Sequence, residues 1–102
     1  MRMAETVLRN EKFQQFVFGE EDRVLIVRMR TVPSLDATAM KQFELLHARC
    51  ERKGVTLILS HVNKQPMLVM KRSGFFAELG EENFAANIDE ALKCAEEICR
   101  KQ

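Results

Sequence analysis

The stretch Val24-Leu25-Ile26-Val27-Arg28-Met29-Arg30, continued by Thr31-Val32-Pro33-Ser34-Leu35-Asp36-Ala37-Thr38, decides the fold. Val24–Met29 is an apolar run rich in β-branched residues, the composition of a buried strand. Val32 and Pro33 end it, because proline has no N–H to give to a sheet ladder. From Asp36 to Lys53, apolar residues recur at Ala37, Met40, Phe43, Leu46 and Cys50, with Leu45 beside them, which is the spacing of one helical face. Gly54 supplies the helix stop. Val55–Ser60 then repeats the buried-strand pattern. Strand, helix and strand make a βαβ unit, which crosses over right-handed and joins parallel strands. The expected fold class is therefore α/β, with a small mixed, mainly parallel sheet packed against helices.

Working outward, Asn63 is placed to cap a short helix whose first turn holds Pro66, whose contacts are Met67, Leu68, Val69 and Met70, and which Gly74 ends. Phe75, Phe76 and Leu79 lead through Gly80 to Asn83, Phe84 and Ala85, where a very short edge strand or an extended loop fits. Asn87 with Glu90 three residues later is a capping-box pattern. Ile88, Ala91, Leu92, Ala95, Ile98 and Cys99 continue it as an amphipathic final helix. At the other end, Ala4, Val7 and Leu8 have helical spacing, and Phe13 to Phe18 fit a continued helix or a strand; a helix through about Gln15 is the reading adopted.

With 102 residues the chain fits one domain, residues 1–102, with one modest core. Sixteen basic residues nearly cancel fifteen acidic ones, leaving +1, so no global field recommends nucleic acid or an anionic membrane as partner. The longest apolar runs fall far short of the roughly 18 residues of a membrane span. Cys50, Cys94 and Cys99 form neither a metal-ligand spacing nor an even disulfide set, and read as small hydrophobes in a reducing compartment. His47 and His61 stand alone, so no metal site is expected, and His47 reads as solvated within a charged helical stretch. Ser34, Ser60 and Ser73 lack a nucleophile-elbow context, and the four scattered glycines make no Walker or dinucleotide loop. Neither enzyme chemistry nor a cofactor is implied. Met40, Met67 and Met70 read as packing, and the acidic pairs as solvated charge.

These residues resemble a known family. Val24 to Arg30 with Val32, Pro33, Ser34, Leu35, Asp36, Ala37 and Thr38 resemble the central strand and signature loop of STAS domains, in the version found in bacterial sulfate permeases. The resemblance runs on through Arg52, Gly54, Val55 and Leu57 to Ser60, then Arg72, Gly74 and Phe75. It closes at Leu79, Gly80, Asn83 and Asn87 to Leu92, covering residues 24 to about 95 in order. It implies a non-enzymatic regulatory domain of a SulP-type anion transporter, part of a larger membrane protein and placed on the cytoplasmic side of the membrane. Its implied partners are the transmembrane part of the same transporter and a cytoplasmic regulatory protein. Nucleotide binding has been associated with such domains, but no motif here carries it.

The family also contains free-standing antagonists of anti-sigma factors, whose loop reads Asp-Ser-Ser/Thr-Gly and is phosphorylated on the second hydroxyl residue. The matching residues are Asp36, Ala37, Thr38 and Ala39, so the implied regulatory loop comprises Ser34, Asp36, Ala37, Thr38 and Ala39. Thr38 keeps the hydroxyl. Ala37 removes the first hydroxyl, and Ala39 puts a Cβ where the family has glycine. Two readings of the loop stand side by side. A phosphate of about −1.5 to −2 charge on Thr38 would sit at a helix N-terminus and change what docks there; or Asp36 or Ser34 caps the helix and Thr38 is an ordinary first-turn residue. The family's N-terminal strand is not visible in the sequence. Its absence would leave a sheet edge open to a second copy of the chain or to transporter sequence.

Overall fold

A computed structural model describes the backbone of residues 2–7 and 22–101 and the side chains of residues 24–98. Its strands are β1 (Arg2–Val7), β2 (Asp22–Arg28), β3 (Thr56–Ser60) and β4 (Phe84–Ala85). They form one sheet in the order β1-β2-β3-β4, and all three pairings are parallel. The helices are α1 (Ala37–Lys53), α2 (Lys64–Ser73), the short α3 (Phe75–Leu79) and α4 (Ile88–Lys101), with a 3-10 turn at Glu81–Asn83.

Alternation along β2 and β3 sorts their side chains onto two faces. Leu25, Val27, Met29, Leu57 and Leu59 join Met40, Phe43, Leu46, Cys50, Met70, Phe75 and Leu79 in the larger core, beneath α1, α2 and α3. Val24, Ile26 and Ile58 face the other way and pack on Ala91 and Ala95 of α4. The alanines let that helix lie close to the sheet. Both strands are buried on both faces, which is why they read as unbroken apolar runs rather than alternating ones.

The helix ends follow local chemistry. Gly54 adopts φ 70°, its N–H donates to the Cys50 and Glu51 carbonyls, and the Val55 N–H reaches Cys50 O at 2.8 Å. This 6→1 and 5→2 pattern is a Schellman motif, and the positive φ is the reason glycine stands there. At α4 the Asn87 Oδ1 accepts from the Glu90 N–H at 2.9 Å, and Glu90 Oε2 accepts from the Ala86 N–H at 3.2 Å. The capping-box pattern is thus realised, shifted by one residue on its return bond. The edge strand at Phe84–Ala85 is also present.

Three expectations are corrected. Residues 4–7 are strand, not helix, so a strand does precede β2 and closes the edge that the sequence left open. The open ladder of β2 offers a row of N–H and C=O groups, and pairing with it outweighs a three-residue helical spacing. The rest of that expected helix, residues 8–15, lies outside the described residues. His47 is not solvated: it is 8% exposed, its ring meets Phe75 edge-on at 5.7 Å, and its Nε2 lies 3.1 Å from Glu51 Oε1. Phe75 arrives from α3, which local sequence could not show. Finally, the Asn63 side chain does not cap α2; it is used elsewhere, as described next.

Candidate functional site

The segment from Met29 to Ala39 leaves the carboxyl end of β2 and enters α1. Met29 still bonds to the sheet, its N–H donating to Ser60 O at 3.0 Å, and a tight turn follows in which the Val32 N–H donates to Met29 O at 3.0 Å. Val32 and Leu35 are buried and anchor the segment in the larger core. Pro33, Ser34, Asp36, Ala37 and Thr38 between and after them are exposed. The chain here is a pinned loop whose side chains face outward.

What pins it is the start of α2. Asn63 Nδ2 donates to the carbonyls of Val32 (2.8 Å), Arg30 (3.0 Å) and Met29 (3.4 Å). Gln65 Oε1 accepts from the Leu35 N–H at 2.7 Å, and Gln65 Nε2 donates to Leu35 O at 3.3 Å. An amide side chain that satisfies both backbone groups of one residue imitates a neighbouring strand. Backbone polar groups that leave a sheet must find partners, and here two side chains some thirty residues away supply them. Both residues were missed in the sequence reading, where Asn63 served as a cap and Gln65 had no role; no local signal marks contacts at that separation.

Asp36 is the N-cap of α1: its Oδ1 accepts from the Ala39 N–H at 2.8 Å and its carbonyl accepts from the Met40 N–H at 3.0 Å. Thr38 lies exposed in the first turn beside it, where the helix dipole and uncapped amides favour negative charge. Ala39 is 5% exposed and packs in the core. Its Cβ therefore points away from the outer surface of the loop and does not stand where a docking partner or a phosphate would approach. The five residues expected to form the loop fall within Ser34–Ala39, four of them exposed and Ala39 buried.

The cysteines are remote from this surface. Burial pushes the Cys50 thiol up to about 12 against the opposing pull of Arg49. Cys94, half-buried on α4, is raised by burial and by the nearby Glu97 and Glu82 carboxylates. Neither has the electropositive surroundings that make a thiolate reactive. No helix among the described residues is long and apolar enough to cross a membrane.

A parallel α/β sheet whose central strand runs into a clamped, outward-facing strand-to-helix loop defines a small domain built around a presented surface. The chain belongs to the STAS domain family, whose model matches residues 4–91. Among solved structures, it is 38% identical to a sulfate transporter family protein from Wolinella succinogenes, with TM-score 0.78 over 82% of this chain and 69% of that one. It shares the fold of the STAS domain of a SulP transporter from Vibrio cholerae, with TM-score 0.80 and 20% identity over 98% of this chain and 85% of that one. Among curated proteins it is 26% identical over 69 residues to the probable sulfate transporter 4.2 of Arabidopsis thaliana. That match takes in 68% of this chain and 10% of the relative. The chain thus spans about a tenth of that relative's length.

Proposed function

We propose that this domain is the regulatory, non-catalytic module of a SulP-type anion transporter, acting on the cytoplasmic side of the membrane by docking against the transmembrane part of the same protein. The observation that carries the reading is the clamped loop. Asn63 and Gln65 fix its backbone while Pro33, Ser34 and Thr38 project outward. A surface ordered before it meets its partner avoids much of the ordering cost of association. The likeness to sulfate-transporter domains supports the choice of partner.

The test is anion uptake by the polypeptide that carries this domain, with Thr38→Arg or Ser34→Arg in place. Both residues are exposed, and equal melting temperatures of the isolated variant and parent domains check that the fold is kept. Altered uptake with unchanged membrane abundance supports docking through the loop. Unchanged uptake in both variants refutes it.

A second reading has one observation in its favour, the exposed Thr38 hydroxyl in the first turn of a long helix. It makes the domain a free anti-sigma antagonist switched by phosphorylation at Thr38, with charge added beside Asp36. Incubation with the cognate kinase and mass mapping separates the two: phosphate on Thr38 that abolishes partner binding favours this reading, and an unmodified Thr38 removes it.

A further inference from the structure

A second feature lies at the carboxyl ends of β2 and β3, on the face opposite the clamped loop's core. There a cleft of about 160 Å³ is lined by Arg28, Arg30, Ser60, His61, Asn87 and Ile88. The placement follows from strand parity. Val24, Ile26 and Ile58 point to the α4 side, so Arg28 and Ser60, two residues on, point there too. The register sets Arg28 directly opposite Ser60. The crevice beyond the carboxyl ends of parallel strands is where open α/β sheets hold ligands.

Three kinds of donor converge on this cleft. Arg28 and Arg30 bring guanidinium groups, the first half-buried and the second exposed. The fourteen-residue helix α4 begins at its wall. In that first turn, Asn87 Oδ1 takes only the Glu90 N–H, and the Ala91 N–H goes to Asn87 O. The N–H of Ile88, which lines the cleft, remains uncommitted among the described residues, as the first amides of a helix are. Ser60 supplies the third donor. It is 1% exposed, and its hydroxyl joins no hydrogen bond among the described residues. Since no fully enclosed side-chain polar atom among those residues lacks a partner, the outlet of this hydroxyl is the cleft itself. A buried serine with its hydroxyl turned into a basic cleft calls for an acceptor there. Opposing charge is present but displaced: the Glu90 carboxylate is turned back onto the Ala86 N–H, and Asp89 does not line the cleft.

We infer that this cleft binds a free tetrahedral oxyanion, of the sulfate or phosphate kind, between Arg28 and Arg30, the Ser60 hydroxyl and the first turn of α4. Its volume accommodates such an ion together with a few waters. His61 holds the rim with a backbone φ of 54°, rare for a residue with a side chain, and is locked there by its N–H donating to Ala85 O at 2.9 Å. The assignment does not depend on how the domain docks.

The experiment is a titration of the 102-residue chain followed by amide NMR, using sodium sulfate and sodium phosphate against sodium chloride at matched ionic strength. Saturable shifts at the Ser60, His61 and Ile88 amides with sulfate or phosphate, and only a linear drift with chloride, are expected. Arg30→Gln should weaken the binding roughly tenfold or more, because a charge-assisted bond is lost. Ser60→Ala should weaken it several-fold. Arg30 is exposed, so its variant folds, and equal melting temperatures check this for both. The same linear response to all three salts overturns the proposal, as does saturation that neither substitution alters. Saturation by O-phosphoserine with none by the free ions overturns the assignment to a free oxyanion.

Discussion

Two helices, α1 and α4, begin at the carboxyl end of the same sheet, and their surroundings are finished in opposite ways. At α1 the cap is made by Asp36, and the loop leading to it has its carbonyls and amides taken up by Asn63 and Gln65. At α4 the cap is also made, by Asn87, but the neighbouring cleft is lined by the Ser60 hydroxyl, by Arg28 and by the exposed Arg30. Internal satisfaction gives the first region an ordered backbone with exposed side chains, the surface we propose for docking. The second region is the one we propose for something small and negative, with Arg30, the Ser60 hydroxyl and the first turn of α4 around the cleft. The lesson is that the direction of the polar groups, rather than the presence of a helix N-terminus, separates a docking surface from an ion site.

The comparison can be broken most severely from below. Phe43 is fully buried in the core that carries the clamped loop, and Phe43→Ala should cost about 3–5 kcal/mol in urea unfolding. A loss under about 1 kcal/mol would mean that this core does not support the loop. Next in size is Asn63→Ala, which leaves the Met29, Arg30 and Val32 carbonyls without their shared donor and should cost about 2–3 kcal/mol. It should also speed hydrogen exchange at Val32 and Leu35. Ser60→Ala at the other region should change stability by under about 0.5 kcal/mol, since its hydroxyl has no partner in the fold to lose; a cost like that of Asn63→Ala would erase the contrast. The two caps should be alike: Asp36→Ala and Asn87→Ala each cost about 1 kcal/mol, measured the same way.

The smallest effect concerns the thiols. Folding raises Cys50 from 9.0 to about 12, so its contribution to stability is complete below about pH 9 and is lost as pH rises from there toward 12. Cys50→Ala should flatten that alkaline slope. At pH 8, iodoacetamide should label Cys94 well before Cys50, as read by peptide mass, because Cys50 is enclosed and Cys94 is not. Equal labelling would show that the α1 side opens as readily as the α4 side.

Much of this architecture is legible in the sequence because local chemistry and tertiary role coincide. Val24–Met29 and Val55–Ser60 read as buried strands and are; Gly54, Gly74 and Asn87 read as helix ends and are. The strand-to-helix passage through Ser34 to Ala39 is also legible, while its regulatory role rests on the resemblance to a family signature. Other features rest on contacts that no window contains. The strand at Arg2–Val7 exists through its pairing with β2. His47 is enclosed because Phe75 comes from another helix. Asn63 looked like a cap because asparagine before a helix normally is one, and only the arrival of the Met29–Val32 turn redirects it. The cleft needs both strand parity and register to bring Arg28 beside Ser60, neither of which spacing along the chain announces.

We propose that the clamped loop is where this domain meets the membrane-embedded part of the same SulP-type transporter. The most direct test is a photo-activated cross-linking residue placed at Ser34 or Thr38 in the polypeptide that carries the domain, in cells, with the cross-linked peptides identified by mass. Cross-links from both positions to transmembrane segments of the same polypeptide are expected, and their loss when Asn63→Ala releases the loop. Cross-links to a soluble partner alone, or none from either position while other faces of the domain react, would contradict it.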